Sequence, residues 1–159
     1  HTQLTVLLRQ RLKAGQRALC VIDGFCGAGK TTLAAQLSGL FSGAPVIHMD
    51  DFFLRPEQRT PQRYATPGGN IDHERFAAEV LPGLQAGRTF RYRPFDCATF
   101  TVDEGTDITP APLTVVEGSY SLHPALGKYH DCAESEDMFK KAGIQLEYIY
   151  EEVQQYDKQ

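Results

Sequence analysis

The amino-acid sequence predicts an α/β fold, a parallel sheet between helices in a three-layer α/β/α arrangement, and three observations carry that prediction. Short, mostly apolar runs at 18–22, 45–49 and 113–116 have the composition of strands covered on both faces. Segments with apolar residues at helical spacing lie between them. The order strand, glycine loop, helix, strand, helix, strand belongs to crossover-connected parallel strands, whose ends converge on one ligand-binding edge.

Each element follows from local pattern. Leu4, Leu7, Leu8 and Leu12 recur at helical spacing, and Gly15 is a natural stop, so 3–14 reads as an amphipathic helix. The run 18–22 is the first strand, broken by the glycine-rich stretch 24–29. From Lys30 a second helix sets Leu33, Ala34, Leu37 and Leu40 on its inner side and ends near 39–43. The second strand, 45–49, ends in Asp50-Asp51-Phe52-Phe53. Residues 54–70 are polar and basic, and their Pro and Gly content predicts a long loop without regular structure, a feature that is often functional. Asn70 is placed to cap a third helix reaching about residue 86, with Phe76, Val80, Leu81 and Leu84 inward and Pro82 shortening or kinking it. Residues 89–102 alternate aromatic and polar side chains around Pro94-Phe95-Asp96, the pattern of a small exposed β-hairpin flap. The third strand, 113–116, delivers Glu117-Gly118 at its end.

Composition narrows the function classes. At 159 residues the whole of 1–159 reads as one domain. Hydrophobic content of 42% and charged content of 23% exclude disorder and fibrous repeats. A net charge of −4 supplies no global basic field for nucleic acid or an anionic membrane. No apolar run approaches the roughly 20 residues that span a bilayer, and 1–11 lacks the pattern of a signal peptide. Cys20, Cys26, Cys97 and Cys132 have neither zinc nor disulfide-scaffold spacing, so reduced thiols in a cytoplasm are the plain reading.

The chemistry concentrates at the strand ends. Gly24-Phe25-Cys26-Gly27-Ala28-Gly29-Lys30-Thr31 satisfies G-x-x-x-x-G-K-[ST] between a strand and a helix, the P-loop pattern. A ring of main-chain amides cradles a polyanion best, and forming it needs backbone conformations that only glycine adopts cheaply. The following helix adds its positive end. Gly24, Gly27, Ala28, Gly29, Lys30, Thr31 and Thr32 are therefore the expected phosphate-binding residues, with ATP and Mg²⁺ the expected cofactors. Lys30 reaches the β- and γ-phosphates and Thr31 the metal, whereas Thr32 is either a second hydroxyl or simply a helix-start residue.

Asp50 and Asp51 close the second strand, where a carboxylate can take the proton of an acceptor hydroxyl. Adjacent acids on a strand point in opposite directions, so only one can face the phosphates. Glu117 is placed to hold Mg²⁺, against the plainer reading of a cap or solvated acid. Arg55, Arg59, Arg63 and Tyr64 populate the long loop, and Arg63 and Tyr64 are candidate substrate contacts. Asp72 either binds sugar hydroxyls or merely complements the helix dipole. Cys26 is a variable loop position, and His48, His123 and His130 read as structural or surface residues.

Residues 18–32, 48–53, 67–75, 92–97 and 115–124 together resemble the uridine kinase/phosphoribulokinase family of small-molecule P-loop kinases, its bacterial uridine kinase-like members in particular. The resemblance covers about residues 15–131. It implies that Asp50 is the base, that Glu117 holds the metal, and that Asp72 contacts a ribose. Uridine kinases present a Tyr-Asp-Phe segment and a nearby His to the base. Here the stretch reads Pro94-Phe95-Asp96-Cys97, with Phe100 about where that His stands, so Phe95 is the implied substrate-side aromatic and the nucleobase preference is open. The family continues into an apolar strand and an Arg-rich lid. Residues 133–159 contain no Arg, Lys140 and Lys141 being the cations near that place, and 132–159 stay unassigned, although 144–150 reads as a strand.

The expected activity is Mg-ATP-dependent transfer of a γ-phosphoryl group to a hydroxyl of a nucleoside or similar small metabolite. The alternatives are a kinase for a non-nucleoside alcohol and a nucleotide-binding module with little or no transferase activity. The expected partner is a small-molecule hydroxyl acceptor, not nucleic acid or membrane, and a homo-oligomer is left open.

Overall fold

A computed structural model of the chain describes residues 2–130, 132–135, 146–149 and 153–156. Helix α1 (Thr2–Lys13) leads into strand β1 (Ala18–Asp23), every residue of which is buried. A glycine loop connects β1 to helix α2 (Lys30–Leu40), which returns the chain to strand β2 (Val46–His48). After short helices α3 (Pro61–Tyr64), α4 (His73–Glu79) and α5 (Leu81–Ala86) come β3 (Phe90–Tyr92), β4 (Phe95–Asp96), β5 (Thr101–Val102) and β6 (Thr106–Ile108). Strand β7 (Leu113–Glu117) is again wholly buried, and β8 (Cys132–Ser135), β9 (Leu146–Ile149) and β10 (Val153–Tyr156) follow.

The main sheet is parallel, with spatial order β2-β7-β1-β8. Strand β7 inserts between β1 and β2, so the loops leaving all three open on one edge, as crossover connections require. Side chains alternate across a strand, and the core divides accordingly. Ala18, Cys20, Ile22, Leu113 and Val115 pack with Leu4, Leu7 and Leu8 of α1 and Leu33, Ala34 and Leu37 of α2. Leu19, Val21 and Val116 pack with Met49, Phe52, Phe76, Val80, Leu81 and Leu84. Each large side chain fully withdrawn from water in this way contributes about 1.5–3 kcal/mol.

Several expectations are corrected. Leu40 is 56% exposed rather than inward, because α2 ends there and its inner stripe stops at Leu37. The second strand ends at His48, and Met49–Phe52 form a 3₁₀ turn, so Asp50 and Asp51 do not sit on a strand. The 54–70 segment holds regular structure after all: a 3₁₀ turn at Pro56–Gln58 and helix α3, whose start is capped by Thr60 and entered by Pro61. The next helix is capped by Asp72, not Asn70, and Val80 divides it in two ahead of Pro82. Antiparallel pairing beyond residue 88 extends past 102: β4 pairs with β5, and β3 pairs with β6 outside them. Strand β9 falls within the 144–150 stretch. Lys140, Lys141, Ile144 and Tyr150 lie outside the described residues. Among the described residues no helix is long and apolar enough to cross a membrane.

Candidate functional site

The turn after β1 opens the site. Gly27 and Gly29 adopt φ of 80° and 85°, and a Cβ at either would meet nothing within 4 Å, so the loop presents open space above main-chain amides. Gly29 is the N-cap of α2 and offers no side-chain cap, which leaves the first amides of that helix for another acceptor. The Lys30 ammonium donates to the Phe25 carbonyl at 2.6 Å and so arches over the loop. Thr32 lies in the first turn of α2, solvent-exposed, with Ala28 in the loop itself.

Asp23 ties this loop to its neighbour. The carboxylate accepts from the amides of Gly24 at 2.6 Å, Tyr120 at 3.0 Å and Leu122 at 2.8 Å. The hydroxyl of Ser119 donates to the Gly24 carbonyl at 3.0 Å, and the Gly118 amide to the Ile22 carbonyl at 3.1 Å. Burial raises the Asp23 carboxyl to about 6, a shift that its three amide donors oppose.

The end of β7 brings in the acid. Glu117 is 4% exposed, and the Thr31 hydroxyl lies 3.4 Å from both of its carboxylate oxygens. His48 Nδ1 is 2.6 Å from Glu117 Oε1. That hydrogen bond, with the charges of Glu117, Asp51 and Asp50, raises the imidazole pKa against the effect of burial. Gly118 has φ of 138°, and a Cβ there would stand 2.7 Å from that of Met49, so only glycine lets β7 pass this close to the Met49–Phe52 turn.

On that turn Asp50 is solvent-exposed and within electrostatic reach of Glu117 and Lys30. Lost hydration and the Glu117 charge raise its carboxyl, and Lys30 partly offsets them. Asp51 goes elsewhere, to the Tyr92 hydroxyl. The site thus gathers an ammonium, a hydroxyl beside a carboxylate, and a second carboxylate with raised basicity. Among the described residues no group of three or more His, Cys, Asp or Glu could hold a metal by itself. Thr31 and Glu117 fit the sparser protein share of a Mg²⁺ that is also bound by phosphate oxygens and water.

The remaining predicted contacts, apart from Tyr64, are engaged within the protein. Asp72 has no exposed surface, and its carboxylate accepts from Arg55 Nε at 2.9 Å, Gln58 Nε2 at 3.0 Å and the Arg75 amide at 3.0 Å. A ribose would have to displace one of these donors. Arg63 is clamped by Glu74 at 2.6 and 2.9 Å and donates to the Gly69 and Ile71 carbonyls. The clamp lowers the Glu74 pKa to about 2. Tyr64 is exposed and Phe95 buried, with the Arg59 guanidinium over both Phe95 and Phe100. Away from the loop, His73 stacks on His123 at 3.9 Å, and burial lowers His73 to about 4.

Sequence reading missed Asp23, His48, Tyr92 and Ser119. An acid ending an apolar strand directly before the glycine loop was a usable signal for Asp23. The others depend on pairings across 41 to 95 positions that no local pattern announces.

Neither a family model nor a curated protein matches the chain. Among solved structures it is similar to a possible uridine kinase from Bacillus stearothermophilus, with 21% identity, a TM-score of 0.64, and coverage of 84% of this chain and 80% of that one. At that identity the likeness establishes the fold alone, a mixed α/β fold built on a parallel sheet.

Proposed function

We propose that this chain is a phosphotransferase that uses Mg-ATP to phosphorylate a hydroxyl of a nucleoside or similar small metabolite. ATP with its Mg²⁺ supplies the activated phosphoryl group. Main-chain amides of the Gly24–Thr32 segment, those of Gly24 and Ala28 excepted because they donate to Asp23 and Phe25, and the Lys30 ammonium hold the phosphates, and Thr31 and Glu117 share the metal. Asp50 accepts the proton of the acceptor hydroxyl and keeps its oxygen in line, its raised basicity suiting a base.

The observation that carries this reading is the Thr31 hydroxyl against Glu117 at one edge of a parallel sheet, beside the Lys30 glycine loop, with Asp50 within electrostatic reach of both Lys30 and Glu117. Transfer through a loose transition state asks for positioning and charge more than for covalent help. Calorimetry with Mg-ATP and a coupled assay over nucleosides and small alcohols test it. Lys30→Ala is expected to abolish the binding heat, and Asp50→Asn to lower turnover about 100-fold or more. No heat from the wild type would end the reading. Tight binding without product from any acceptor would indicate a nucleotide-binding module instead.

The closed state of Asp72 favours a second reading, in which the acceptor is an alcohol without a ribose. A thermal-shift panel with nucleotide present separates the two, since the true acceptor raises the melting temperature.

A further inference from the structure

We propose that Tyr92 is a positioning residue that decides which of the adjacent acids, Asp50 or Asp51, serves as the base. This rests on the kinase reading above and adds to it the means by which one carboxylate is selected.

Tyr92 ends β3, is buried, and lays its hydroxyl against the Met49–Phe52 turn. The hydroxyl accepts from the His48 amide at 3.1 Å and donates its single proton to the Asp51 carboxylate. The His48 carbonyl, at 3.3 Å and uncharged, is the weaker competitor for that proton. Burial and the Asp51 charge push the phenol pKa far up, so it remains a donor.

The main chain of Asp51 is held as well. Its carbonyl accepts from Arg75 Nη2 at 3.1 Å. That guanidinium is 3% exposed, bonded to Glu79 and to the Arg93 carbonyl, and packed 4.3 Å over the Phe52 ring. Successive side chains on a 3₁₀ turn diverge by about 120°. Fixing Asp51 on the Tyr92 side therefore turns Asp50 away from Tyr92, leaving it the acid of the pair without a bond to that hydroxyl. Without the hydroxyl, both carboxylates would be free to swing, and Asp51 would keep a charge at a half-buried position with no side-chain donor.

The experiment compares Tyr92→Phe, Asp51→Asn, Asp51→Ala and the Tyr92→Phe/Asp51→Ala double variant with wild type and Asp50→Asn. The probes are Mg-ATP with uridine, cytidine, adenosine, ribose and glycerol, and rates are taken on whichever the wild type phosphorylates fastest. Tyr92→Phe is expected to lower kcat, taken per ATP-binding site counted by calorimetry, about tenfold while the KM for ATP stays within about twofold; counting sites removes the loss that a smaller folded fraction would cause. Asp51→Asn keeps an oxygen for the Tyr92 proton and is expected to retain at least about a third of kcat, where Asp51→Ala does not. The double variant should be no slower than its slower parent. Losses that multiply, or an Asp51→Asn enzyme as inactive as Asp50→Asn, would overturn the inference. A wild type that phosphorylates none of the probes removes the kinase reading and this inference together. Activity abolished by Asp50→Asn yet untouched by Tyr92→Phe removes this inference alone.

Discussion

His48 and Glu117 stand in register on the adjacent parallel strands β2 and β7, their side chains joined at 2.6 Å. An imidazole bonded to one carboxylate oxygen restrains the rotation of that carboxylate, and Thr31 lies against both oxygens. His48 thus supports Glu117, the proposed metal ligand. Replacing it with Phe keeps a ring but no donor. The Mg²⁺ midpoint for nucleotide binding should weaken about tenfold, while nucleotide binding without metal stays unchanged. A magnesium titration followed by calorimetry checks this, and an unmoved midpoint would refute it.

Two buried groups are predicted to set opposing slopes of stability against pH. His73 titrates near 4 when folded and near 6.5 when unfolded, so the unfolded chain binds more protons between those values. Stability from this source falls as pH drops from 6.5 to 4, by roughly 3 kcal/mol in all. Asp23 titrates near 6 folded and 3.8 unfolded, so here the folded chain binds more protons. Its contribution rises by roughly 3 kcal/mol as pH drops across that window. These two contributions therefore nearly cancel from pH 6 to 4 in the wild type, and urea unfolding of single variants separates them. His73→Gln should grow more stable on acidification, and Asp23→Asn less stable. Parallel curves for the three proteins would contradict both assignments.

Gly118→Ala should destabilise by about 1–3 kcal/mol, because the new methyl group meets Met49 and the backbone angle disfavours any side chain. The urea midpoint measures it.

Leu8 and Leu40 form a contrasting pair. Leu8 is wholly buried, and Leu8→Ala should cost about 2–5 kcal/mol. Leu40 is exposed at the end of α2, and Leu40→Ala should change stability by no more than about 0.5 kcal/mol. Equal losses would mean that the helix buries a different face.

What the sequence made legible is what short-range physics controls. Apolar runs gave β1 and β7, helical spacing gave α1 and α2, and the glycine-lysine pattern located the loop between β1 and α2. The less legible parts rest on competition between neighbours or on distant contacts. Asn70 and Asp72 are both good caps, and Asp72 takes the position because Arg55 and Gln58, brought close by the 3₁₀ turn before α3, satisfy the rest of its carboxylate. Which of Asp50 and Asp51 is tied down depends on a tyrosine 41 residues away. Leu40 fits the helical repeat, yet the helix stops before any neighbour covers it.

The strand order also has a consequence for synthesis. The middle position between β1 and β2 is filled by β7, about 90 residues after β1 has left the ribosome. Until then Val21 and Ile22 have no β7 partner, and an emerging chain carries a bare, sticky edge. Birth of this protein should depend on chaperone cover over that interval, and a pause in translation before Leu113 should lower its yield more than one after Glu117.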